Sequence, residues 1–196
     1  MRVLVGCEES QTVCKAFREK GHKAYSCDLL ECSGGHPEWH INGCVLEAIS
    51  QKWDLIILHP PCTALAVSGN AWYGDGMTKN KQRIQSKKWT VHLWNQAKKN
   101  ASKVAMENPV GVLTQVLGKP YYIQPWQFGH PESKKTGLWL YNLSELKPTN
   151  NVYKQFKALP KNQAQRLHYL PPSKDRAKIR SKTFKGIAKA MAAQWG

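Results

Sequence analysis

Acid is scarce in this chain. Twenty-nine Lys and Arg face only 13 Asp and Glu, leaving a formal charge of +16 on 196 residues. Between positions 147 and 185 the bases run through with a single acid, Asp175. Long apolar runs are absent too. Nothing approaches the roughly 18 residues needed to cross a bilayer, which excludes a membrane-spanning chain, and "MRVLVGCEES" turns acidic too soon for a secretory leader. Cysteine is absent after Cys62, its six copies (7, 14, 27, 32, 44, 62) all lying in the first third. A disulfide framework distributes its bridges over a small secreted chain, so these thiols are read as reduced. There is no Cys-x-x-Cys pair. Cys27, Cys32, His36 and His40 are therefore read as buried thiols and loop histidines rather than zinc ligands, and no metal is expected. No repeat or low-complexity tract appears. The expectation is one soluble cytoplasmic domain over 1–196, large enough to bury a core.

What is abundant is positive charge. A field of one sign attracts a polyanion, and nucleic acid is the usual one. Eight Trp and seven Tyr add faces on which bases stack. A solvated basic surface, or attraction to anionic lipid, would account for the charge alone.

The first half alternates as βα units do. "RVLVG" reads as a buried strand, "ESQTVCKAFREKG" as an amphipathic helix and "KAYSCDLL" as a strand ending in the acid Asp28. "ECSGGHPEWHING" reads as loop, "VLEAISQ" as a short helix and "DLIIL" as the next strand. "KNKQRIQSKKWTVHLWNQAKKN" is predicted helical, with Ile84, Trp89, Val91, Leu93 and Trp94 toward the core. Then come a strand in "KVAME", a short helix "VLTQVL", and strands in "YYIQPWQFG" and "TGLWLYNL". The predicted fold is α/β with a mainly parallel sheet over 1–146, a basic irregular segment over 147–180 and a terminal helix over 181–196.

In open α/β sheets ligands sit outside the carboxyl ends of the strands, and here four such ends carry unusual residues: "VGCEES", "CDLL", "HPPC" and "MENPVG". Pro60 and Pro61 cannot continue a central strand, so they force the chain out of the sheet and leave Cys62 on a rigid loop. An ionised thiol is a strong nucleophile, and a neighbouring cation lowers its pKa. A small buried thiol near a turn is the plain alternative. Glu107 follows another short apolar strand, where its carboxyl group can sit beside Cys62 and hydrogen-bond a heterocycle. An acid that merely starts a helix is the alternative there.

These residues resemble the DNA cytosine-5 methyltransferases, and more closely the short versions found in bacterial viruses. Pro61-Cys62 matches the family's Pro-Cys motif, with Gly69 at the expected spacing, and Glu107-Asn108-Pro109 matches Glu-Asn-Val with Pro for Val. "QFGHPESKKTGLWL" is similar to the later Phe-Gly-x-Pro segment, and "SKTFKGIAKAMAAQW" to the C-terminal helix. The resemblance covers roughly 1–146 and 180–196. It implies a Rossmann-like S-adenosylmethionine-dependent methyltransferase fold in which Cys62 attacks C6 of cytosine and Glu107 hydrogen-bonds N3 and the exocyclic amine. C5 then takes a methyl group from S-adenosylmethionine, and a cytosine in a duplex is first flipped out.

The family's cofactor loop, Phe-x-Gly-x-Gly, corresponds to "VGCEESQTV", which keeps Gly6 and lacks the later glycines. The resemblance assigns the cofactor to Gly6, to the backbone of Glu9 and Ser10, to Asp28 for the ribose, to Cys44 where the family has an acid, and to Pro60. Glu132–Thr136 stands for Gln-x-Arg-x-Arg, so Lys134 and Lys135, with Arg176 and Arg180, are the candidate nucleic-acid contacts. Lysine keeps the charge without the bidentate fork. Only some thirty residues separate "LWLYNL" from "LHYLPPS", too few for a target-recognition domain. DNA is the expected partner, bound with weak intrinsic specificity or with recognition supplied by a partner chain or a second copy. Two other readings remain open: an inactive relative that only holds nucleic acid, and a pyrimidine-modifying enzyme acting on free nucleotide. The resemblance places the chain in the cytoplasm of a bacterial or virus-infected cell.

Overall fold

The apolar runs "VLV" and "LIIL" form the centre of a seven-stranded sheet. The computed structural model describes residues 1–196. In chain order the elements begin with β1 (Arg2–Gly6), α1 (Thr12–Glu19), β2 (Lys23–Asp28), β3 (His40–Asn42), α2 (Val45–Ile49) and β4 (Trp53–Leu58). Next are α3 (Asn70–Tyr73), α4 (Asn80–Asn100), β5 (Ala101–Pro109), α5 (Thr114–Leu117), β6 (Tyr121–Ile123) and β7 (Thr136–Tyr141). The chain ends with α6 (Tyr153–Ala158), α7 (Lys161–Ala164), α8 (Arg166–Tyr169), α9 (Arg176–Ser181) and α10 (Lys185–Trp195).

The strand order is β3-β2-β1-β4-β5-β7-β6. The first five strands run parallel, and β7 is antiparallel to both β5 and β6. The fold is a mostly parallel, doubly wound sheet whose order reverses between β1 and β4. That switch point is where such sheets open a crevice at their carboxyl edge.

Side chains of a strand alternate between faces, and the two cores follow that period. Val3, Val5, Leu55, Ile57 and Ala105 pack with α1 and α10, whose Phe17, Met191 and Trp195 are fully buried. Leu4, Ile56, Leu58, Val104 and Met106 face the other way, against α2 and α4. Each fully buried side chain of this size stabilises by about 1.5–3 kcal/mol, so strands covered on both faces anchor the sheet. All six cysteines are free. Burial first, and Asp28 or Glu8 next, push the thiols of Cys7, Cys14 and Cys27 up to about 12.

Several elements differ from expectation. β3 lies inside the predicted loop: "HIN" is polar and three residues long, and only pairing with β2 makes it a strand. α1 begins at Thr12 rather than Glu9. β5 runs through Glu107 to Pro109, because pairing with β7 extends it past its apolar stretch. α4 buries Arg83, Thr90, Leu93, Trp94 and Ala97, a face turned away from Ile84, which is 43% exposed. The stretch 147–180 is not irregular; it forms the short helices α6 to α9, which bury little and so leave no apolar period to read. No helix is long and apolar enough to cross a membrane.

Candidate active site

The carboxyl edge of the sheet gathers the unusual residues, in the order the strands impose. Past β1, Cys7 and Gln11 both adopt left-handed backbone, with φ of 60° and 54°. A side chain there costs roughly 1–2 kcal/mol, which glycine would avoid. The offset is Glu8, 5% exposed, whose carboxylate accepts the Val13 N–H at 2.7 Å and the Cys14 N–H at 3.2 Å. It thereby caps the first turn of α1 from within the loop. The amides of Glu9, Ser10 and Gln11 donate to no protein acceptor. Gly6 is needed for packing: a Cβ there would lie 2.6 Å from Val45 Cγ2 and 2.9 Å from Leu58 Cδ2.

Asp28 ends β2 with one oxygen accepting the Leu30 N–H at 3.0 Å. Beside it Leu29 and Leu30 are 78% and 64% exposed. Asp28 and Cys44 both act on the Cys7 thiol, so the ends of β1 and β2 and the start of α2 form one cluster. Glu9 is held by Ser33, and its Oε2 lies 3.9 Å from Lys178 Nζ. The Ser10 hydroxyl pairs with Thr12 at 3.1 Å.

The second cluster follows β4 and β5. Pro60 is buried, and its carbonyl accepts from Asn108 Nδ2 at 2.9 Å, tying the ends of the two strands together. Cys62 opens a turn in which its carbonyl accepts the N–H groups of Leu65 and Ala66. That loop is clamped from outside. Arg83, 6% exposed, donates to Ala64 O at 2.7 Å, Ala66 O at 3.3 Å and Asn70 Oδ1 at 2.9 Å. From the other side Val67 N–H donates to Val110 O, and Val112 N–H to Leu65 O. Gly111 permits this approach, since a Cβ would fall 2.1 Å from Leu65 O.

Glu107, 14% exposed, faces His59, whose Nδ1 lies 3.3 Å from its Oε2. Burial would raise this carboxyl group, but the His59 hydrogen bond, the Lys134 charge and Thr136 outweigh it and hold the group below its ordinary value. The Cys62 thiol is raised, first by burial and then by the Glu107 charge, while Lys134 and Arg180 pull it down. A neighbouring cation lowers a thiol's pKa, but burial and the carboxylate outweigh the two cations here.

The four candidate nucleic-acid contacts part company. Lys134 stands between Glu107 and α9, its Nζ donating to the carbonyls of Ser181 at 3.4 Å and Lys182 at 3.2 Å. Lys135 turns away and lies over the Tyr122 ring at 4.5 Å. Arg180 acts on Cys62, and the Nε of Arg176 is buried without a partner. With Lys178 near Glu9, α9 spans the mouth of the site as a basic strap. Under it, Glu107, Lys134, Thr136, Thr183, Phe184 and Ile187 line a cavity of about 10 Å³, room for one water at most. A cleft of about 530 Å³ lies elsewhere, beside α1 at Lys15, Arg18, His22, Lys23, His36 and Trp39.

Sequence reasoning missed His59 and Arg83. His59 stood in the quoted "HPPC", a titratable residue at a strand end, and that was its signal. Arg83 carried none, being one base among many on a polar helix. No group of three or more His, Cys, Asp or Glu is placed to hold a metal ion. His40 is instead engaged by Ser26 and the Leu30 carbonyl, and His36 stacks on Trp39 at 3.8 Å. No protein-family model matches the sequence, and no curated protein matches it.

The buried Glu8 and the largely buried Glu107 give opposite pH signatures. Burial raises Glu8 above its ordinary value, so the folded state holds that proton more tightly than the unfolded chain. Stability from this group falls as pH rises from the ordinary value through the raised one. Glu107 is held low, so its contribution is present above the ordinary value and is lost as pH falls through the folded value. Glu8→Gln is expected to abolish the decline on the neutral side. Urea unfolding of both proteins between mildly acidic and neutral pH checks this; parallel curves would refute it.

Proposed function

We propose that the chain is a methyltransferase acting at C5 of cytosine in DNA, with S-adenosylmethionine as donor. The observation that carries this reading is the convergence of Cys62, Glu107 and Lys134 at one edge of the sheet, within electrostatic reach of each other. A mostly parallel sheet open at the β1/β4 switch point supports the Rossmann-like methyltransferase form of the fold.

The cofactor fits the residues present at the ends of β1 and β2. Free amides at Glu9, Ser10 and Gln11 suit a carboxylate. The second oxygen of Asp28 suits ribose hydroxyls, and the exposed Leu29 and Leu30 suit an adenine ring. Three of the chain's 13 acids, Glu8, Glu9 and Asp28, meet here in a protein of charge +16, a setting that favours a cationic sulfur. Bound S-adenosylmethionine supplies an electrophilic methyl group.

The protein's own residues do the rest. The Cys62 sulfur forms the bond to C6, and its proton passes to Glu107, the nearest carboxylate. Glu107 then hydrogen-bonds N3 and the exocyclic amine, placing a fixed partner where charge develops on the ring. Flipping the base costs a few kcal/mol, against which the basic strap and the 63% exposed Trp72 offer phosphate and stacking contacts. A cavity of about 10 Å³ admits no base, so α9 moves aside when one enters. Helices α6 to α9 are too short for a recognition domain, and weak sequence preference follows, unless a partner chain or second copy supplies it.

The test is transfer of labelled methyl from S-adenosylmethionine to DNA, with Cys62→Ala as control; no transfer on duplex or single strands ends the reading. One observation favours a second reading, that the protein holds nucleic acid without modifying it: the Cys62 thiol is raised, not lowered. Calorimetry separates the two, since cofactor binding is required only by the first.

A further inference from the structure

Glu8, His59 and Glu107 stand in a row across three neighbouring strand ends, β1, β4 and β5. Glu8 caps α1, Glu107 stands beside Cys62, and His59 lies between the two acids. His59 is fixed on every side. Its N–H donates to Gly6 O at 2.9 Å, Pro60 follows it, and its side chain is 10% exposed. Its Nδ1 lies 3.3 Å from Glu107 Oε2. A carboxylate only accepts, so the proton of that bond belongs to Nδ1, and this fixes the tautomer. The other nitrogen, Nε2, is buried and has no partner. From the β1 side Glu8 places a charge near the ring, but both its oxygens are already held by the amides of Val13 and Cys14. The ring therefore has one bonding partner among side chains, and it is Glu107.

We propose that His59 is the positioning residue of Glu107: its Nδ1–H holds one carboxylate oxygen, so that the other faces the base and is free to take the Cys62 proton. This rests on the methyltransferase reading. The protons balance without His59 giving up its own. Sulfur bonds to C6 while its proton passes through Glu107 Oε1 to N3; after C5 takes the methyl group, its hydrogen leaves as a proton to solvent water, and the N3 proton returns through Glu107 to the departing sulfur. The groups facing this pair are Glu8 from β1, Cys62 beyond β4, and Lys134 and Thr136 at the start of β7.

His59→Leu and His59→Asn test the idea, since the asparagine amide can place an N–H where Nδ1–H stands. With side-chain carboxyls labelled by carbon-13 and Glu107 assigned through Glu107→Gln, the Glu107 titration is expected to move to higher pH in His59→Leu and return in His59→Asn. Turnover at neutral pH falls roughly 10²-fold in His59→Leu, the scale of a misplaced catalytic group. The acid limb of the rate profile rises with the titration, and cofactor affinity stays unchanged. Most of the rate returns in His59→Asn. An unmoved titration in His59→Leu, or an asparagine variant as slow as the leucine one, overturns the proposal. If the unaltered protein transfers no methyl group, the catalytic reading falls, while the titration still decides whether His59 holds Glu107.

Discussion

Cys62→Ala is expected to transfer no methyl group to any DNA, a loss of at least about 10⁴-fold, since removal of a nucleophile leaves only binding and electrostatic effects. The change deletes one sulfur from a half-buried side chain at the head of a turn. The turn is held by the Cys62 carbonyl, which alanine retains, so thermal unfolding should barely move. A second observable follows from the chemistry. In the proposed reaction, release of Cys62 requires loss of the hydrogen at C5, and fluorine placed there cannot leave as a cation. DNA carrying 5-fluorocytosine should therefore become attached to the protein and survive denaturing electrophoresis, and Cys62→Ala should show no such band. Glu107→Gln keeps a hydrogen-bonding group but cannot accept the thiol proton, and a loss of roughly 10²–10³-fold is expected, as for removal of one preorganised partner of developing charge. Transfer that persists in Cys62→Ala would place the nucleophile elsewhere.

Arg83→Met carries the second large effect, this time on stability. Arg83 is 6% exposed and satisfies two main-chain carbonyls, of Ala64 and Ala66, together with Asn70 Oδ1. Methionine fills similar volume but donates nothing. Each buried carbonyl left without a partner costs about 1–3 kcal/mol, so a loss of roughly 2–5 kcal/mol is expected in urea unfolding. The Cys62 loop should also loosen before the whole domain does, giving a variant slower than its folded fraction explains. Lysine at 83 should rescue little, because one ammonium cannot span three acceptors as a planar fork does. A variant as stable as the parent would mean that α4 does not clamp the loop.

The sheet was readable where strands are buried on both faces, because "RVLVG" and "DLIIL" leave their environment no alternative. β3 was not, since a polar tripeptide becomes a strand only through its neighbour. Cys62 and Glu107 were legible from prolines and acids at strand ends, whereas His59 and Arg83 take their meaning from contacts across 48 and 19 residues. Lys135 illustrates the converse: its charge singles it out in the sequence, yet its side chain lies over the Tyr122 ring.

The buried thiols of Cys14 and Cys27, pushed up to about 12 by burial and nearby acids, are chemically silent while the domain is closed. They sit on the first helix and the second strand of the sheet, so they become reactive only when that unit comes apart. An alkylating reagent thus reads the opening of the β1–β2 half as a rate of mass gain, without any engineered probe. The same silence gives the protein an oxidation tolerance in its interior that its other, half-buried thiols do not share.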